Sequence, residues 1–168
     1  MSYLVVRLLS CVVIGVASLN AIDASALALT GVKSRKVHGA TGNWDLTVDS
    51  TQTLSSALIT VEPRAIGSGH KIVFVFDTTI TATGVASAAD PFGPVGAVSA
   101  SITGASNIPV NNEVTVTLTG IPDNKRVQVS LTQVNGALDV DASVGFLVAD
   151  VDNTRVVASS DVSRVKTR

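Results

Sequence analysis

Beyond residue 30 the chain alternates apolar and polar positions with a period of two. "NWDLTV" sets Trp44, Leu46 and Val48 against polar neighbours. "EVTVTLTG" puts Val114, Val116 and Leu118 on one side and threonines on the other. "RVQVSLTQV" does the same with Val127, Val129 and Leu131, while "ALITVEP" and "KIVFVFD" are β-branched and aromatic runs. Such alternation describes strands with one buried face and one wet face. Turn-forming stretches separate them: "IGSG", "DPFGPVG", "VNN", "IPDNK" and "VNG". The spacing predicts strands near 32–37, 43–48, 57–63, 70–77, 79–87, 95–103, 112–119 and 125–134, with a closing one near 140–148. The expected fold is all-β: an immunoglobulin-like antiparallel β-sandwich of 7–9 strands over 31–148. Trp44 is expected in its core.

The first thirty residues follow another pattern. Arg7 precedes a short apolar run, Leu8 to Leu19, and "ASA" (Ala24, Ser25, Ala26) supplies the small residues a signal peptidase requires. Residues 1–26 therefore read as an export signal, or as a retained apolar segment that joins subunits. The run is short for a membrane span, so no stable span is expected once it is cleaved. The expected location is secreted, extracellular or at the cell surface. Cys11 is the sole cysteine and lies inside this leader. The remaining chain has no thiol for a disulfide, a thiolate metal site or a cysteine nucleophile.

Composition narrows the function. Charged residues are 15% and the net charge is -1, which offers no electrostatic grip on nucleic acid. Aromatics are 4%, too few for a broad stacking surface. Neither histidine, His38 or His70, has a partner pattern for catalysis; both read as surface or hydrogen-bonding residues at strand edges. Glu62 and Arg64 flank Pro63 on one strand face, an arrangement for a charge-assisted pair. Arg35, Lys36 and His38 form a small basic cluster, read as a solvated edge. The chain is expected not to be an enzyme.

The C-terminal "ADVDNTRVVASSDVSRVKTR" carries the remaining chemistry. Asp150, Asp152 and Asp161 occupy positions one, three and twelve of a twelve-residue window. Ser159 and Ser160 are placed to cap a short helix whose Val162 and Val165 share one side. Two turns do not hold in water alone, so an ion, the sandwich or further chain must support them. The residues leave two readings open: a calcium loop, or an acidic strand-to-helix turn.

This stretch resembles one repeat of a type I dockerin, in which a Gly-Asp-Val-Asn start leads through a glycine turn to Asp-Val opening a helix. The sandwich region resembles a module found upstream of such repeats in exported bacterial proteins. The resemblance implies an EF-hand-like loop with Ca²⁺ ligands at Asp150, Asp152, Thr154, the Val156 carbonyl and Asp161. It implies partner recognition through Ser159, Ser160 and Lys166, and a cohesin-like domain or neighbouring copies of the chain as partner. Residues 149–168 would be half a dockerin, because one repeat is present. Three departures weaken the loop: Thr154 replaces a carboxylate or amide, Arg155 replaces the turn glycine, and Ala158 replaces a polar residue. Binding on the order of 10⁻⁴–10⁻³ M, or none, is then expected. The function implied is a non-catalytic module for attachment or assembly, in a setting of polysaccharide breakdown. The alternative is a structural subunit of an extracellular fibre or coat, joined through its N-terminal segment.

Overall fold

The computed structural model describes residues 26–152 and 154–166. The proposed leader and its cleavage point before Leu27 lie almost wholly outside these residues. Ten strands form two five-stranded sheets. They are β1 (Leu29–Val37), β2 (Asn43–Val48), β3 (Thr60–Glu62), β4 (His70–Phe76), β5 (Val85–Asp90), β6 (Gly93–Pro94), β7 (Ala97–Thr103), β8 (Glu113–Thr119), β9 (Lys125–Val134) and β10 (Leu138–Phe146). One helix, α1 (Ser159–Lys166), follows. Among the described residues no helix is long and apolar enough to cross a membrane.

The first sheet runs β2-β1-β4-β8-β7 and the second β3-β10-β9-β5-β6. All pairings are antiparallel except β3 with β10, which is parallel. The second sheet is therefore mixed, a departure from the all-antiparallel expectation. The alternating positions meet in one core: Val32, Ile72, Phe74, Val114, Val116 and Leu118 from the first sheet, Val127, Val129, Leu131 and Val144 from the second. Burying these side chains is the main drive to fold.

Two expected strands shrink. The run 57–63 pairs only over Thr60–Glu62, and 79–87 begins pairing at Val85. The cause in the second case is local. Gly84 has φ +70° and lies so close to the Thr132 carbonyl that a Cβ there would sit 2.1 Å from it. The chain bends at this glycine before it can join β9.

Trp44 is not in the core. It is 61% exposed, and its ring meets that of His38 edge-on, with centroids 5.9 Å apart. Its side of β2 is the inner one, since Val48 on that side is buried. Along β2, however, burial rises from Trp44 through Leu46 to Val48. The opposite sheet covers only the far end of this edge strand.

Candidate metal centre

Strand β10 does not simply end; it delivers the chain to the acidic loop. Leu147 N donates to the Glu62 carbonyl at 3.3 Å and Ala149 N to the Pro63 carbonyl at 2.9 Å. Val148 N donates to Asp123 Oδ1 at 2.9 Å. These bonds extend the hold of β3 past the last paired residue, so the loop starts from a fixed point.

The loop then closes on itself through its carboxylates. Asp150 Oδ1 accepts from Thr154 N at 3.0 Å and its Oδ2 from Arg155 N at 2.8 Å. Asp161 Oδ1 accepts from Val151 N at 2.9 Å and from Asp152 N at 3.3 Å. Asp161 Oδ2 accepts from Ala158 N at 2.8 Å, while Asp161 N donates to the Ala158 carbonyl at 3.2 Å. The Asp161 carboxylate thus makes one half of a capping box; the other half is a backbone bond, since Ala158 has no side-chain acceptor. The sequence expectation gave the cap to Ser159 and Ser160; instead both are exposed residues of the first turn, and Asp161 reaches back to satisfy the helix start.

Three of the five expected ligands converge. Oxygens of Asp150, Asp152 and Asp161 lie within 4.8 Å of one another. Asp150 and Asp161 are 1% and 2% exposed, which is unusual for aspartate. Hydrogen bonding from Thr154 holds the Asp152 carboxyl below the ordinary aspartate range. The Thr154 hydroxyl donates to the Val156 carbonyl at 3.2 Å, which brings the oxygens at the fifth and seventh positions together. The donor set is hard oxygen throughout; Asp150 Oδ1 and Oδ2 and Asp161 Oδ2 each accept one N–H bond and keep a lone pair, while Asp161 Oδ1 accepts two. It fits a hard divalent cation such as Ca²⁺. Of the expected partner-binding residues, Ser159 and Ser160 are accessible; the Lys166 side chain lies outside the described residues.

Arg155 behaves differently from the simple expectation. Its backbone is left-handed, φ +69°, as the sixth position demands. Its guanidinium is turned towards the sandwich, where Nη2 donates to the Ile59 carbonyl at 3.4 Å. The side chain thus ties the loop to the body. Nothing in the local sequence signalled this contact, because Ile59 lies 96 positions away. Val162 is exposed, so it does not pack on the sandwich. Among the described side chains, the support for α1 comes through the loop, by way of Asp161, and not through Val162.

The other singled-out residues lie in two clusters on the body. Glu62 and Arg64 pair as expected: Nε donates to Oε1 at 2.6 Å, and the backbone N of Arg64 donates to the same oxygen at 2.9 Å. Ser34 also donates to this carboxylate. Burial pushes the Glu62 carboxyl up, but the Arg64 and Ser34 bonds outweigh it and leave it below the usual glutamate range. His70 is not a surface residue; it is 6% exposed and its ring lies 4.4 Å from that of Phe146. Burial keeps it below the ordinary histidine value. Arg35 is likewise no solvated edge. It bridges Asp45 at 2.8 Å and Glu113 at 2.6 Å on the outer face of the first sheet. Register explains this: Arg35 stands opposite Asp45 across β1–β2.

No protein-family model, curated protein or solved structure matches this chain.

Proposed function

We propose that the chain is a non-catalytic exported or surface module in which an immunoglobulin-like sandwich carries a dockerin-like, EF-hand-like Ca²⁺ loop for attachment or assembly. The observation that supports it is the convergence of Asp150, Asp152 and Asp161 within 4.8 Å, two of them almost wholly buried. Three carboxylates brought that close repel one another, and a divalent cation relieves the repulsion. Such an ion would be held by Asp150, Asp152 and Asp161, with Thr154 and the Val156 carbonyl close by. Its role is structural: it would fix α1 in one pose and present Ser159 and Ser160 to a partner. The partner class is a cohesin-like domain or another copy of the chain.

The proposed loop differs from a free-standing repeat in its attachment. The bonds from Leu147, Ala149 and Arg155 to the segment around β3 hold it against the body. The sandwich supplies part of the support that a second repeat would give. The test is calorimetric titration of the leader-free protein with Ca²⁺, paired with melting in calcium and in chelator. Heat of binding and a raised melting point support the reading. Absence of both in millimolar Ca²⁺ leaves an acidic turn with no ion.

A further inference from the structure

Away from the tail, the outer face of the second sheet holds a cleft of about 610 Å³. Gln128 from β9 and Asp141 and Ser143 from β10 line one side; residues 50–55 and Pro91 line the other. The volume is within the range of sites that take small ligands.

The wall is braced before any ligand arrives. Asp49 accepts from Thr51 N at 3.0 Å, from the Thr51 hydroxyl at 2.7 Å and from the Gln52 amide at 2.8 Å. Arg126 Nη1 donates to the carbonyls of Leu54 at 3.0 Å and Ser56 at 3.1 Å. A pre-ordered wall lowers the entropic cost of binding.

The lining selects the ligand. Asp141 is the one ionisable side chain in it, and the Gln128 amide already donates to that carboxylate. An anion finds no cation there, and a metal ion finds a single carboxylate. Leu54 and Pro91 offer too little apolar area for a greasy ligand. What remains is a set of serine and threonine hydroxyls and amides, each able to donate and accept. Ser143 is 3% exposed as a residue and lines the floor of the cleft.

We propose that this cleft binds a neutral, hydroxyl-rich chain: a stretch of polysaccharide. An extended peptide is disfavoured, because β9 and β10 are interior strands and offer no free backbone edge for strand addition. The site stands apart from the tail loop and does not rest on the calcium reading.

The experiment titrates the ¹⁵N-labelled full chain with neutral oligosaccharides of glucan, xylan and mannan type, and separately with a serine- and threonine-rich peptide, each to about 10 mM. One oligosaccharide is expected to shift the amides of Gln128, Asp141, Ser143 and residues 50–55, equally with and without chelator. Gln128→Ala combined with Asp141→Ala is expected to weaken binding about tenfold or more, with an unchanged melting point since both face outward. Ser143→Ala, which removes only the hydroxyl, is expected to weaken it less. Shifts absent for all saccharides, shifts unchanged in the variants, or shifts with the peptide alone would each overturn the proposal.

Discussion

Phe74 and Asp150 are both almost fully buried, for opposite reasons. Phe74 lies inside β4 among Val32, Val114 and other core residues that need nothing but one another. Asp150 lies in a loop whose centre is oxygen, and its burial brings two other carboxylates close. Burial of apolar area lowers the free energy of the body whatever the solution contains. Burial of converging carboxylates carries a charge cost, which backbone N–H bonds to Asp150 and Asp161 offset in part and which the proposed cation would offset further. The body is thus self-sufficient, and on the proposed reading the tail is conditional. The contacts of Ala149 and Arg155 with the body connect the two.

The largest way to break this contrast is to damage the body. Phe74→Ala is expected to cost about 3–5 kcal/mol. Denaturant unfolding should show body and tail lost together, because the loop hangs on the body through β10, the segment around β3 and Asp123. Next is the tail itself. Asp150→Ala is expected to abolish the gain of about 0.4–1.4 kcal/mol that about 1 mM Ca²⁺ would provide to the proposed site at a Kd on the order of 10⁻⁴–10⁻³ M. The variant should leave melting in chelator near that of the parent, which differential scanning calorimetry reads directly. A drop as large as that of Phe74→Ala would show that the tail is part of the core after all.

Arg155→Gly probes the connection. It removes left-handed strain of about 1 kcal/mol but also the bond to Ile59. Calcium affinity is expected to rise several-fold, while hydrogen exchange of amides 150–158 in chelator becomes faster. Unchanged exchange would mean that the guanidinium does not hold the tail.

The smallest effect is acid sensitivity of the body. His70 is held below its ordinary value by burial, so the unfolded chain takes up the proton first. Stability present above the ordinary histidine value is then lost as pH falls towards the depressed one. Glu62 contributes the same sign in a lower window, below the usual glutamate range. Urea midpoints measured between about pH 7.5 and 5 should fall for the parent and stay level for His70→Phe.

Part of this was legible in the chain. Period-two alternation located Val114, Val116, Leu118, Val127, Val129 and Leu131, all buried, because side-chain direction in a strand is a local property. The same rule failed at Trp44. Alternation gives the face but not how far the opposite sheet extends over it. The Glu62–Arg64 pair was readable because its partners are two residues apart; the Arg35–Asp45–Glu113 bridge was not, since strand register brings its members together. The spacing of Asp150, Asp152 and Asp161 marked the loop. The turn of Arg155 towards Ile59, and the cleft on β9 and β10, carried no sequence signal.

By itself the sequence determined the strands, their inward faces and the acidic window, since each follows from backbone geometry over a few residues. The parallel seating of β3 on β10, the exposure of Trp44, the burial of His70 and the clasp between tail and body were decided only by the tertiary structure. Each depends on which distant segments share a neighbourhood, and that is settled when the two sheets close on one core.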